Sequence, residues 1–254
     1  MRKRTDAPTT STTAIPTTTG GQRPQLTLPR QSHTAEGPYD QTGMYVMHHA
    51  LRRDFVHFVA AVQNTPISEH EVWTALEQRW DRFSDILHHH HGAEDASLWP
   101  VLLTHAEQSD SQEDRQLLAD MEAEHGRIGP ALTACRDAFE AMRDHPSEDH
   151  RAALESQLAA AHEGLLEHLA HEEGKALPML QRTLSEEENR EFEKAADRAY
   201  PLKMIPFLLP WAMDEVPDEA RDRLLATTPP GYGLMLRLLR PRYLRGEQRA
   251  FRYA

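Results

Sequence analysis

Length, composition and charge exclude several classes of protein. The chain has 254 residues and a formal net charge of −12, so it can hold one sizeable domain with extensions, and nucleic acid is not expected as its main partner. Its single cysteine, Cys135, excludes an internal disulfide and is typical of a reducing compartment, so we expect a cytoplasmic protein. No apolar run approaches the roughly 20 residues that cross a bilayer, so we expect no transmembrane segment.

In chain order, a polar tail precedes a long periodic region. Residues 1–38 are rich in Thr, Pro and Gln and have few large apolar side chains, so we expect a disordered tail. Between residues 42 and 184 the spacing of apolar residues predicts four long helices, at about 42–63, 69–105, 112–143 and 148–184. Long helices with short connections predict an all-α fold, an up-down antiparallel four-helix bundle.

Residues 185–254 are predicted to form a helical C-terminal extension. Ser185 and Glu188 have the spacing of a capping box, which predicts a helix that ends near residue 199. The stretch 233–254 carries six arginines and one acid, and we expect it to pack across the acidic bundle, although a membrane or an acidic partner would also suit its charge. Its expected anchors are Trp211, Tyr232, Leu236 and Tyr243.

Histidines and glutamates interrupt the apolar stripes of all four predicted bundle helices. In chain order these residues are His48, His90, Glu94, His125, His168 and Glu172. Burying an unpaired carboxylate costs several kcal/mol, so six such groups in one core need something that gathers them, and a metal ion does this. The pairs His90/Glu94 and His168/Glu172 are four residues apart, which puts both side chains of each pair on one helix face.

The same pattern occurs twice. His48 and His90 are 42 residues apart, and His125 and His168 are 43 apart. In each half the second histidine is followed by a glutamate four residues later and by a proline six residues after that glutamate. We therefore interpret the chain as two helix hairpins that each contribute a lone histidine and a His-x3-Glu pair.

The motifs resemble the ligand helices of the hemerythrin or HHE cation-binding family. The matching segments are Met47-His48-His49-Ala50-Leu51-Arg52, His90-His91-x2-Glu94-Asp95-x3-Trp99-Pro100, Glu124-His125 and His168-x3-Glu172-Glu173-x4-Pro178. The resemblance implies two non-haem iron ions bridged by carboxylates and an oxo or hydroxo group. It further implies that the four histidines are terminal ligands and that Glu94 and Glu172 bridge the irons.

Two departures from the family pattern concern the number of histidine ligands. Oxygen carriers of the family have a further histidine one turn from the third-helix ligand, where this chain has Met121 and Gly129. His91 lies where some iron-sensing relatives have an acidic ligand, and we expect it to point off the stripe. The residues that could support the ligands from outside are His91, Asp95, His171 and Glu173.

Several functions fit such a centre. We favour a binding protein that binds or senses oxygen, nitric oxide or iron over an enzyme, and no residue is assigned a catalytic role. The alternatives are an enzyme that decomposes peroxide, a protein that stores or scavenges iron, and a metal-free bundle that serves as an interaction module. Protein partners are not predicted.

Overall fold

The computed structural model describes residues 22–228 and 230–254, and the regular structure in this part of the chain is helical. The bundle consists of α1 (Thr42–Asn64), α2 (His70–Ser97), α3 (Trp99–Gln108), α4 (Gln112–Asp144), α5 (Glu148–His171) and α6 (Leu177–Thr183). The C-terminal extension consists of α7 (Glu186–Ala199), α8 (Ile205–Ala212), α9 (Asp218–Thr227) and α10 (Tyr232–Ala250). The predicted all-α bundle with a helical extension is confirmed.

The four long helices α1, α2, α4 and α5 surround one apolar core. Helix α1 packs against α2 and α5, and α4 packs against the same two helices, so each helix lies at a corner of the bundle. Edge-to-face contacts among buried aromatic rings, with centroids 5.0 to 5.8 Å apart, fill the middle of this core. The rings that contribute are Phe55, Phe58, Trp80, Phe83 and Phe139.

The two prolines that follow the glutamates interrupt their helices differently. The second predicted helix breaks at Leu98, and Pro100 occupies the first turn of α3, where its missing N–H costs nothing. The fourth predicted helix continues through a π-helical turn, Glu172–Ala176, before α6 begins ahead of Pro178. Such turns insert one extra residue into a helix and are frequent at functional sites.

Residues 22–41 form an extended segment that packs on the end of the bundle where α1 begins. Leu28 and Ala35 are buried, the Ala35 N–H donates to Tyr45 Oη at 2.7 Å, and Gln181 bonds to Tyr39 through both ends of its amide. Disorder was expected over residues 1–38. Residues 1–21 lie outside the described residues, and residues 22–38 are packed, contrary to that expectation.

The C-terminal extension is attached to the bundle by a buried charged cluster. Asp54 of α1 is fully buried and accepts from Arg79 of α2 at 2.5 Å and from the indole N–H of Trp211 at 2.7 Å. Arg79 also donates to Glu247 of α10 at 2.7 Å, and Arg53 donates to Asp54 at 2.9 Å. Of the expected anchors, Trp211, Tyr243 and Leu236 are buried and Tyr232 is partly buried.

The predicted capping box at the start of α7 is present, since Ser185 and Glu188 exchange both hydrogen bonds. None of the described helices combines the length and the apolar character that crossing a membrane requires.

Candidate metal centre

The six residues singled out in the sequence come together at one end of the bundle. This end contains the beginning of α1, the end of α2, the first half of α4 and the end of α5 with its π-helical turn. The exposed fractions are 0% for His48, His168 and Glu172, 1% for Glu94, 7% for His90 and 8% for His125. All six side chains are therefore withdrawn from water in one place.

These donors form two groups that the glutamates join. His48, His90, Glu94 and Glu172 each place one donor atom within 4.8 Å of the others, and His91, His125 and His168 do the same. The Oε1 atom of Glu94 is 3.1 Å from His90 Nε2, while its Oε2 atom is 3.6 Å from His125 Nε2.

Glu172 lies between the same two groups. Its Oε2 atom is 3.1 Å from His48 Nε2 and 3.8 Å from His168 Nε2. Each glutamate thus reaches a histidine of both groups, Glu94 through two different oxygens and Glu172 through one, and this places both carboxylates where two cations could share them.

His91 belongs to this centre, contrary to the expectation that it points off the stripe. Its side chain is only 7% exposed, and its ring stacks on that of His125 with centroids 3.9 Å apart and planes 8° from parallel. Its neighbour His90 contacts His48 of α1 instead, with ring centroids 5.4 Å apart. Because α2 is a corner helix, it can direct one histidine towards α1 and the next towards α4.

Carboxylates outside the centre hold the opposite nitrogen of three of these rings. Glu173 Oε1 lies 2.9 Å from His48 Nδ1, Asp95 Oδ1 lies 2.7 Å from His125 Nδ1, and Glu124 Oε2 lies 2.9 Å from His168 Nδ1. A carboxylate can only accept, so each Nδ1 carries the hydrogen and each Nε2 presents its lone pair to the interior. Such contacts fix the tautomer and orientation of metal-binding histidines and raise their basicity.

Further residues hold these carboxylates. Arg52 donates to both oxygens of Glu173, at 2.6 and 3.1 Å, and the Ser32 N–H donates to Glu173 Oε2 at 2.7 Å. His171 Nδ1 lies 2.9 Å from Glu124 Oε1. Asp95, His171 and Glu173, which the sequence placed outside the ligands, are therefore found in contact with a ligand or with its acceptor.

Sequence reasoning assigned no role to Ser32, Arg52 and Glu124. Glu124 directly precedes His125, and this adjacency was the only signal available for it. Arg52 lies with Arg53 and His49 on the polar face of the predicted helix, a position typical of contact with water, yet the N-terminal segment and the C-terminal extension bury all three.

The π-helical turn explains how neighbouring glutamates can both be buried. Glu172 and Glu173 are each 0% exposed, with Glu172 directed at the two histidine groups and Glu173 at His48 Nδ1 and Arg52. In a regular α-helix two consecutive residues differ in direction by about 100°. The wider turn begins at Glu172, so the extra residue is accommodated at the point where both carboxylates are required.

The interior donor atoms lack hydrogen-bond partners. The Nε2 atoms of His48, His90 and His91 and both carboxylate oxygens of Glu94 and Glu172 are buried without one. The Nε2 atoms of His125 and His168 face each other at 3.2 Å, although both present lone pairs. Buried polar atoms are nearly always paired, and opposed lone pairs repel each other, so this donor set fits cations placed between its members.

The electrostatics of the donors agree with this fit. Burial disfavours a charged His48 ring, but Glu172 and Glu173 outweigh burial and raise its pKa to about 9, so in the metal-free protein a proton on Nε2 takes the place of a cation between His48 and Glu172. Burial and the neighbouring His48 lower the pKa of His90 to about 3. Burial and Glu172 raise the pKa of Glu94 well above its usual value, whereas His48 outweighs burial and lowers that of Glu172 to about 2. The protein alone therefore supplies too little positive charge for two buried carboxylates to ionise together.

Comparison with known proteins identifies the family. A family model described as the hemerythrin HHE cation-binding domain matches residues 42–180, more than half of the chain and the whole of the centre described above. No curated protein and no solved structure matches the chain. The chain belongs to the hemerythrin HHE cation-binding domain family.

Proposed function

We propose that the chain binds two non-haem iron ions at this centre and uses them to bind or sense a small molecule such as oxygen or nitric oxide, or to sense iron itself. The observation that carries the proposal is the convergence of seven buried donors whose inward lone pairs are unpaired or opposed. Imidazole and carboxylate donors suit iron. Cys135 does not belong to either donor group, and burial raises its pKa to about 12, which keeps it a thiol.

The proposed ligands are the six residues predicted from the sequence together with His91. His91, His125 and His168 would hold one ion, and His48 and His90 would hold the other. Glu94 and Glu172 would bridge the two, since each carboxylate reaches a histidine of both groups.

The two sides of this ligand set differ in a way that favours binding of an external molecule. An iron pair supplies a redox-active centre with exchangeable coordination positions for a diatomic molecule or peroxide. Because His48 and His90 are only two histidines against three on the other side, we expect the exchangeable position on their side. The burial of all seven side chains excludes bulk water, which favours a small uncharged ligand and reversible binding over turnover.

A cleft offers such a molecule a path towards the centre. It lies between α4 and α5, has a volume of about 280 Å³ and extends to His168. Small side chains, Ala131, Ala160 and Ala161, and the glycine Gly164 form part of its wall. These small residues leave room for a diatomic molecule or peroxide to approach His168.

Iron content and the ultraviolet-visible spectrum test the proposal directly. We expect about two irons per chain in protein purified from iron-fed cells, and loss of both iron and the charge-transfer bands in His168→Ala. Iron-free protein, or equal iron in His168→Ala, would contradict the proposal. A reversible change of the spectrum with oxygen or nitric oxide would support a binding function. Rapid consumption of peroxide without a reversible change of the spectrum would favour an enzyme that decomposes peroxide.

His91 has its own test because the neighbouring helix turn offers a matched control. His88 lies three residues earlier on α2 and is exposed. We expect His91→Ala to lower the iron content while His88→Ala leaves it unchanged. Equal iron content in the two variants would remove His91 from the ligand set and leave the six residues predicted from the sequence.

A further inference from the structure

Helix α10 has an outer face that is both apolar and basic, far along the chain from the metal centre. Leu234 and Leu238, one turn apart, are 63% and 70% exposed, among the most exposed large apolar side chains in the described part of the chain. Arg237, Arg242 and Arg245 are exposed on the same side of the helix. We call this surface the α10 outer face, and it consists of Leu234, Arg237, Leu238, Pro241, Arg242, Arg245 and Arg249.

The α10 outer face carries no acidic residue. The single acid of the helix, Glu247, turns inward and binds Arg79 at 2.7 Å. Arg240, beside the face, lies 3.7 Å from Asp214. Among the described residues, the four arginines of the face form no ion pair, so their charge is left for something outside the chain.

The arginines of the α10 outer face also repel Arg82 of α2. Burial lowers the pKa of Arg82, and Arg79, Arg242 and Arg249 lower it further against the opposing effect of Glu247. The net effect on Arg82 is still a lowered pKa, so the local charge is positive, and an approaching anionic surface would relieve the repulsion among these arginines.

We propose that the α10 outer face docks the protein on an anionic lipid membrane, with the helix lying in the plane of the interface. Leucines inserted between lipid headgroups and arginines paired with phosphates are the two contributions that hold such helices on bilayers. The face is the convex side of a single helix, which fits a flat bilayer, whereas an apolar peptide partner would need a groove. Nucleic acid would pair with the arginines but would leave the leucines exposed to water.

The acidic bundle does not prevent this docking. The chain as a whole has a net charge of −12, but charges more than a Debye length away, about 8 Å at physiological ionic strength, are largely screened. Two carboxylates at this helix, Asp214 and Glu247, are paired with Arg240 and Arg79, so the membrane encounters mainly the positive charge of the outer face.

Co-sedimentation of the full chain with vesicles tests the proposal. We expect binding to phosphatidylcholine vesicles that contain phosphatidylglycerol, weak binding to pure phosphatidylcholine, and weaker binding at high salt. One charge near an anionic surface contributes about fivefold in partitioning, so Arg242→Gln with Arg245→Gln should weaken binding about 25-fold. Leu238→Ser should weaken it about tenfold.

The controls replace the same residue types elsewhere on the surface. Arg127 of α4 is exposed without an ion pair, and Leu103 of α3 is 38% exposed, so Arg127→Gln and Leu103→Ser should leave vesicle binding unchanged. An unchanged thermal midpoint establishes that each variant is folded. Absence of vesicle binding, or equal losses in face and control variants, would overturn the proposal. It would also be overturned if the face variants changed only the sedimentation coefficient of the protein alone, since the face would then join copies of the chain.

Discussion

Glu173 is the carboxylate through which three parts of the chain reach the metal centre, and Glu173→Gln tests whether it positions His48. The carboxylate is fully buried and accepts four hydrogen bonds, from His48 Nδ1, from two nitrogens of Arg52 and from the Ser32 N–H. A glutamine can keep an oxygen towards His48, but its amide nitrogen then faces donors of Arg52 and Ser32. About half of these bonds are therefore lost, and Arg52, only 3% exposed, loses its counter-ion.

The expected effect of Glu173→Gln follows from the burial of the Glu173–Arg52 ion pair. Removing one partner of a buried ion pair costs about 3–5 kcal/mol. Loss of a contact that orients a metal-binding histidine lowers metal affinity about 10–100-fold. Both effects are expected, because the same carboxylate serves Arg52 and His48.

Two measurements separate the effects. Urea unfolding of metal-free protein gives the change in the free energy of unfolding, and competition with an iron chelator gives the change in affinity. Glu167→Gln is the control, since Glu167 is an exposed residue of α5 on the same stretch of chain. Glu173→Gln would refute the reasoning if it retained iron like Glu167→Gln, or if it changed the free energy of unfolding by less than about 1 kcal/mol.

Three further predictions concern the attachment of the chain ends to the bundle. Asp54→Asn leaves the buried Arg53 without its charged partner and leaves Arg79 with Glu247 alone, and it should cost about 3–5 kcal/mol in urea unfolding. Asp81→Asn breaks a half-exposed pair and should cost about 0–1 kcal/mol, so equal losses in the two variants would contradict the role of burial. Burial favours the neutral form of Asp54, but Arg79 and Arg53 outweigh burial and lower the pKa of Asp54. The ionised carboxylate therefore stabilises the fold fully above the unfolded pKa of about 3.9, and this stabilisation is lost as the pH falls through the folded pKa. The difference between wild type and D54N should thus narrow below about pH 4, and a constant difference would be inconsistent with an ionised Asp54. Gly37→Ala would place a Cβ 2.2 Å from Gln181 Oε1 and should lower the free energy of unfolding by about 1–3 kcal/mol. Gly164→Ala on α5 is the control, because its Cβ meets open space and the substitution should be neutral or stabilising by up to about 1 kcal/mol. If thermal unfolding showed Gly164→Ala to be the less stable variant, the packing of residues 22–41 would be refuted.

The helices and the inward donors could be predicted because they follow from periodic patterns. Apolar spacing located α1 and α4 to within one residue at each end, and the pairing of Ser185 with Glu188 located the start of α7. Residues four apart share a helix face whatever the neighbours are, so His90 and Glu94 could be placed together without a structure.

The buried residues that the sequence did not predict depend on how many neighbours each helix has. His91 lies next to His90, and a single inward stripe has room for only one of them, but a corner helix contacts two partners and can bury both. The buried pair of Asp54 and Arg79 is not predictable in the same way, because nothing in the pattern of α1 or α2 shows that α8 and α10 cover it.

The N-terminal segment was missed for a different reason. A prediction from composition depends on whether a segment can bury enough apolar surface, and residues 22–38 bury little beyond Leu28 and Ala35. They are held instead by hydrogen bonds between backbone groups and distant side chains, such as Ser32 with Glu173 and Ala35 with Tyr45. Contacts of this kind have no periodicity along the sequence.

The two helix hairpins support each other across the centre, and this explains why the repeated motif carries an acid after each glutamate. Asp95 of the first hairpin holds His125 of the second, and Glu173 of the second holds His48 of the first. Neither hairpin can therefore orient its own lone histidine, so the centre depends on the assembled bundle.

The repeat departs from symmetry at two positions, and both departures act on the same side of the centre. Where the first hairpin has His91, the second has Leu169, which is fully buried. Where the second hairpin has Glu124, which holds His168, the first has Met47. The group of His91, His125 and His168 thereby gains a third imidazole and an additional carboxylate contact, both of which would strengthen the binding of the proposed metal ion. The group of His48 and His90 gains neither, and this asymmetry is the physical basis for expecting the external ligand on its side.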